Sequence, residues 1–140
     1  MILHCDFEEL AALAAVARHG LAVAAGGASS FAHDHRAADD VEALLPRLTG
    51  DISIQSLEEQ ASVERALDFL LASARERSDQ IILEQYVGAE DSVAAYFDFA
   101  YVLTVYERVR LMGIEMAALA ELLTGHPVTA EAARHMQFPD

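Results

Sequence analysis

The densest group of side chains that could bind a metal lies between positions 33 and 40. His33, Asp34, His35, Asp39 and Asp40 offer imidazole nitrogens and carboxylate oxygens, which are donors that zinc, iron and nickel accept. Their spacing matches no established ligand template, and a solvated polar loop explains the same composition. We keep His33, His35 and Asp39 as candidate metal ligands, and we predict no bound metal or other cofactor.

A second chemical candidate is Glu107, which continues the spacing from Leu103 to Leu111 and therefore interrupts an apolar stripe. A carboxylate buried there is costly unless it is paired or protonated, and acids perturbed in this way are typical of active sites. Arg108 and Arg110 are available as partners, so a structural salt bridge is the alternative. Glu107 is the best catalytic candidate, and whether the chain is an enzyme stays open.

Two absences exclude whole classes of chemistry. The sequence contains no lysine, so there is no Schiff-base lysine, no attachment point for pyridoxal phosphate and no phosphate loop that uses lysine. Cys5 is the single cysteine, which rules out an intrachain disulfide and a cysteine-based zinc finger. Its apolar neighbours predict a buried, inert thiol rather than a nucleophile.

The balance of charge limits the possible partners. A formal net charge of −14 opposes binding to nucleic acid, which rests on basic contacts to phosphates, and it favours a basic protein partner. The apolar runs are far shorter than the roughly 20 residues of a membrane-spanning helix, so no membrane association is predicted. The acidic start does not resemble a secretory signal, which predicts a cytoplasmic protein, and the missing lysine and asparagine indicate a GC-rich bacterial genome.

Capping residues fix where the helices begin. Asp6 with Glu9, and Ser56 with Glu59, have the capping-box spacing, in which each side chain can satisfy a free backbone amide of the first turn. Glycine and proline mark the helix ends. These signals predict helices at about 7–24, 57–87 and 89–124. The last two are separated by only a few residues, so they should form an antiparallel hairpin.

The remaining segments are short. Residues 28–40 are predicted to be an exposed connection, and strands are predicted near 2–5, 42–48 and 51–55, the last two as a hairpin across a turn at 49–51. Pro46 suits an edge strand, although a short helix at 39–46 is the competing interpretation. The predicted fold class is α+β, mainly α, with a small antiparallel sheet. Residues 1–140 should form a single domain in which 126–140 is a loosely packed tail.

Two apolar stripes, rather than one, run along the last predicted helix. The first has spacings of three and four residues and comprises Val93, Phe97, Ala100, Leu103, Leu111, Ile114 and Ala118. The second supplies the six residues that we assign to an interface, which are Phe99, Val102, Tyr106, Val109, Met112 and Met116. Because a small domain rarely covers both sides of such a helix, we expect a second copy of the chain to cover the second stripe.

The sequence matches no family by its motifs, so function is predicted only as a broad class. The preferred hypothesis is a small acidic protein that forms a homodimer and works as a protein-interaction module. The alternative is an enzyme, or a protein that binds a small ligand or metal, with its site at the dimer interface.

Overall fold

The computed structural model of the chain describes residues 1–26, 35–84 and 89–140. In chain order, the described elements are β1 (Ile2–Leu3), α1 (Phe7–Ala25), α2 (His35–Leu44), a 3₁₀ turn (Leu45–Arg47), β2 (Ile52–Ser53), α3 (Leu57–Glu84), α4 (Ala89–Thr124) and α5 (Ala130–Arg134). The protein is mainly helical with a small antiparallel sheet, and the two long helices α3 and α4 pack together, as predicted.

The predicted capping box of Asp6 and Glu9 is present, and at Ser56 and Glu59 the hydroxyl cap forms while the Glu59 side chain binds the Gln55 amide instead of the Ser56 amide. The Glu9 amide donates to Asp6 Oδ1 at 2.8 Å, and the Asp6 amide donates to Glu9 Oε1 at 3.0 Å. At the start of α3 the Glu59 amide donates to the Ser56 hydroxyl at 3.1 Å, and Glu59 Oε2 accepts from the Gln55 amide at 3.2 Å. These bonds satisfy amides that have no partner within their helix, which is why the two helices begin at Phe7 and Leu57.

The sheet differs from the predicted hairpin. β1 pairs antiparallel with β2, with Ile2 opposite Ser53 and Leu3 opposite Ile52. The predicted strand at 42–48 is instead the end of α2 and the 3₁₀ turn, so the competing helical interpretation is closer to the structure. Val41 and Leu44 are both buried, and their separation of three residues places them on one side of a helix.

Pro46 fits this arrangement because it lies at the start of the 3₁₀ turn, where a missing backbone amide costs nothing. Residues 35–40, which were predicted to be part of an exposed connection, form the first turns of α2.

α3 and α4 run antiparallel, since Gln60 contacts Val109 and Arg77 contacts Asp98, and a buried side chain of α3 lies against a glycine of α4. Gln60 of α3 is buried, and its Nε2 donates to the Val109 carbonyl of α4 at 2.9 Å and to Glu64 Oε2 at 2.8 Å. A Cβ atom on Gly113 would lie 2.5 Å from the same Nε2. A side chain at position 113 would therefore displace the Gln60 amide from its place against α4.

The segment at 126–140 is anchored more firmly than its composition indicated. α5 forms one short helix within it, capped by the Thr129 side chain. Phe138 is 2% exposed and belongs to the core, and its amide donates to the Gln55 carbonyl at 2.7 Å. The Ser53 hydroxyl donates to Asp140 Oδ1 at 2.7 Å. This segment therefore covers the end of β2 and contributes to the core beside the sheet.

Candidate functional site

One side of α4, which we call the inner face, packs inside the chain. It consists of the buried residues Ala95, Val102, Val105, Val109, Met112, Met116 and Ala120. Four of the six residues that the sequence assigned to an interface belong to this face, namely Val102, Val109, Met112 and Met116. The other two, Phe99 and Tyr106, are partly buried at its margin and pack against the core. The structure therefore corrects the assignment, because these side chains are already covered by the same chain.

The opposite side of α4, which we call the outer face, is largely exposed. It consists of Val93, Tyr96, Phe97, Ala100, Leu103, Glu107, Leu111, Ile114, Ala118 and Leu122. Eight of the nine exposed large hydrophobic side chains in the described chain belong to α4, and seven of those eight lie on this face. Exposure is 49% for Phe97, 62% for Ile114 and 76% for Leu122. Such a concentration of exposed apolar side chains on one helix face is typical of an interaction surface.

The composition of the two faces explains which one packs inside. The inner face carries valine, methionine, alanine and the adjacent Gly113, and these residues let α3 lie close. The outer face carries larger side chains and the exposed carboxylate of Glu107, and the exposed Glu115 and Glu121 lie at the angular positions of Phe97 and Leu103. Because an unpaired carboxylate is expensive to bury, the stripe that contains it faces away from α3. Glu107 is therefore not the buried acid that would suit a catalytic site.

Glu107 and Arg110 are the charged pair nearest the middle of the outer face. Both are exposed, and neither has an ion-pair or hydrogen-bond partner among the described residues. They are three residues apart on one helix and lie toward the same margin of the face. Their charges are therefore available to another molecule that covers this surface.

Among the described residues the buried carboxylate is Glu9, whose spacing from Asp6 predicted only a helix cap. Glu9 is 2% exposed. Arg108 binds it with both guanidinium nitrogens, at 2.8 Å from Nη1 to Oε1 and 2.6 Å from Nη2 to Oε2, and Nη1 also donates to the His4 carbonyl at 2.8 Å. This fork geometry satisfies the carboxylate fully. The ion pair links α1 to α4, and its two residues are 99 positions apart in the sequence. Local sequence patterns do not predict a contact over that separation.

A cleft of about 860 Å³ lies beside this pair, and its lining includes Cys5, Asp6, Leu111 and Glu115. Burial is the main cause that raises the pKa of Cys5 from 9.0 to about 11, and the Glu9 carboxylate adds to the effect. The thiol is therefore protonated at neutral pH, as an inert cysteine should be.

At the rim of the cleft, the Asp51 carboxylate binds the His4 ring nitrogen at 2.9 Å and accepts from the Cys5 amide at 3.2 Å. The contact with His4, followed by the Cys5 amide, lowers the pKa of Asp51. Glu9 with Arg108, and His4 with Asp51, are thus already paired within the chain beside this cleft.

The three candidate metal ligands are not assembled by the described structure. His33 lies outside the described residues, His35 is the first residue of α2, and Asp39 is exposed on α2. The neighbouring Asp40 accepts from Ser62 Oγ at 2.7 Å and from Arg65 Nε at 2.8 Å, so it links α2 to α3. Within residues 1–26, 35–84 and 89–140, no three histidine, cysteine or acidic side chains are grouped as metal ligands.

Comparisons with known proteins give no relative to reason from. No protein-family model matches the chain, and neither the curated proteins nor the solved structures include a similar one. None of the described helices combines the length and the apolar character needed to span a bilayer. Function must therefore be inferred from the surfaces of this molecule.

Proposed function

We propose that this chain is a homo-oligomeric protein-interaction module and that the outer face of α4 is its contact surface. The observation that carries the proposal is the concentration of exposed large hydrophobic side chains on this one helix face. Scattered exposed apolar residues are normal on a protein surface, whereas a continuous stripe of them is not.

The size of the outer face supports this function. From Val93 to Leu122 it runs for about 45 Å at a rise of 1.5 Å per residue. Its seven large exposed side chains offer an apolar area on the order of 600–800 Å², which approaches the roughly 800 Å² that each partner contributes to a stable complex. One helix face could therefore supply most of an interface.

The charges of the outer face support a second copy as the partner. The chain is acidic overall, yet acid does not dominate the middle of this face, where Glu107 is accompanied by Arg110. A basic partner protein would be attracted by the acidic remainder of the surface, but it would gain little at this position. A second copy of the chain, which carries its own Glu107 and Arg110, can form two favourable charge contacts here.

The alternative, an enzyme with a site at the interface, has weaker support. The cleft beside Glu9 and Arg108 borders the outer face at Leu111, but those two charged groups neutralise each other. A substrate would have to displace a bidentate ion pair before it could use either group.

Sedimentation equilibrium at micromolar concentration tests the proposal. We expect the parent to be a dimer or larger, and we expect Ile114→Glu to sediment at 15.2 kDa with its helical circular dichroism intact. Ala43→Glu is the matched control, because Ala43 is exposed on α2, and it should associate like the parent. A parent that sediments as a 15.2 kDa monomer would overturn the proposal.

A further inference from the structure

The geometry points to an antiparallel homodimer in which Glu107 of each chain binds Arg110 of its partner, so that the two ion pairs flank a two-fold axis beside residues 108 and 109 of α4. This inference rests on the proposed function, since it specifies how the outer face would be covered. It names the partner as a second copy of this chain and it fixes the register of the two helices.

The charges favour the antiparallel orientation. A two-fold axis across two antiparallel helices brings the same margin of each helix together, and a contact made by one chain is repeated by the other. Glu107 and Arg110 lie toward the same margin of the outer face, and neither is paired within the described chain. In a parallel dimer Glu107 would instead lie opposite its own copy, and like charges in that position repel.

The same register brings apolar side chains together. With the axis between residues 108 and 109, Leu103 of one chain lies opposite Ile114 of the other, and both are exposed in the single chain. The two-fold axis repeats this contact, so an apolar pair lies on each side of the two ion pairs.

Charge repulsion between the two chains opposes the burial of their apolar faces. Each chain carries a formal charge of −14, so two copies repel one another. At about 0.15 M salt, interactions between charges more than roughly 8 Å apart are largely screened. The attraction between Glu107 and Arg110 at close range is partly retained. The experiments are therefore best made at this ionic strength.

Charge exchange tests the inference directly. Glu107→Arg alone and Arg110→Glu alone place like charges opposite each other at two points, so each variant should associate at least about tenfold more weakly than the parent. An equimolar mixture of the two variants should form a heterodimer, because the arginines at positions 107 and 110 of one chain then face the glutamates at positions 110 and 107 of the other. The double exchange in one chain should restore the homodimer.

Matched controls separate this effect from the change in net charge. Asp79→Arg and Arg75→Glu make the same charge changes at exposed positions of α3, and neither should alter association, singly or mixed. If the parent dimerises but the variants at 107 and 110 behave like these controls, the register is refuted while the proposed function stands. A monomeric parent refutes both.

Spin-label distances give a second readout that does not depend on charge. In a Cys5→Ala background, labels at Thr104→Cys should lie within about 25 Å of each other, whereas labels at Leu122→Cys should be separated by about 40 Å along the helix axis. A parallel dimer would give short distances at both positions, and that result would overturn the antiparallel arrangement.

Discussion

The inner and outer faces of α4 are both apolar, yet they differ in what they can pack against. The inner face carries Val102, Val105 and Val109, which are fully buried, and beside it lies Gly113, where the Gln60 side-chain amide of α3 leaves no space for a methyl group. The outer face carries longer and aromatic side chains that project into solvent, with the exposed acid Glu107 among them. Small residues at the inner face permit close helix packing within the chain.

The difference shows that apolar character alone does not say what a helix face contacts. Residue volume and the position of isolated charges decide it, because the inner face must fill a fixed space at high density, whereas the outer face has only to match another surface. Substitutions on the two faces should therefore have very different effects, and the largest is expected for a buried charge.

The largest difference in stability between the two faces is expected when a carboxylate is introduced on each. Val105→Asp places an unpaired charge in the core, and we expect it to cost more than about 4 kcal/mol and to abolish cooperative folding. Ile114→Asp puts the same group on the outer face, and the isolated chain should retain its helical circular dichroism. Chemical denaturation followed by circular dichroism measures both. Similar losses of stability in the two variants would contradict the assignment of the faces.

Two neighbouring arginines of α4 should also behave differently. Arg108→Ala leaves the buried Glu9 carboxylate without its bidentate partner, so we expect a loss of about 2–4 kcal/mol in the free energy of unfolding. Arg110→Ala should change the free energy of unfolding of the isolated chain by about 0.5 kcal/mol or less. A double-mutant cycle with Glu9→Gln should show strong coupling for Arg108 alone. If the two alanine variants lose equal stability, the ion pair does not hold α1 to α4.

Gly113→Ala tests the close approach at the inner face. The new Cβ would collide with Gln60 Nε2 and displace its bond to the Val109 carbonyl, so we expect a net loss of about 1–3 kcal/mol despite the better helix propensity of alanine. Thermal denaturation provides the measurement. Gln60→Ala removes the obstructing side chain, so adding it to Gly113→Ala should cost less than the sum of the two single changes. Additive losses would mean that the clash is relieved elsewhere.

The smallest effect concerns Asp98, which forms an ion pair with Arg77 at 3.7 Å. Burial raises the pKa of Asp98 above its ordinary value of 3.8, and the Arg77 charge offsets only part of that rise. The ionised form is therefore disfavoured in the folded chain, so Asp98 destabilises the fold at neutral pH. That penalty disappears as the pH falls through the raised pKa and below 3.8.

Asp98→Asn should accordingly be at least as stable as the parent at pH 7, and its advantage should shrink as the pH falls toward 3. Melting temperatures of parent and variant across this range measure the difference. An advantage that grows with acidification would show that the Arg77 charge outweighs burial.

Local signals in the sequence predicted the helices well. Asp6 with Glu9 and Ser56 with Glu59 defined two helix starts, because capping acts within one turn of chain, and Gly125, with a φ of 73°, ends α4 as expected. The strand predicted at 42–48 failed because its short apolar pattern suits either a strand or a short helix. Only burial of Val41 and Leu44 against neighbouring elements resolves that ambiguity.

Local spacing was enough to predict that α4 is long and apolar on two sides, since both stripes follow from the order of its residues. The sequence contained one indication of their orientation, the acid at Glu107, which marks the outward stripe. Tertiary structure decided which stripe packs inside, that Arg108 rather than Arg110 neutralises a buried acid, and that Phe138 completes the core. Each of these depends on contacts between residues far apart in the chain, and those contacts are set by the close packing of whole helices rather than by local periodicity.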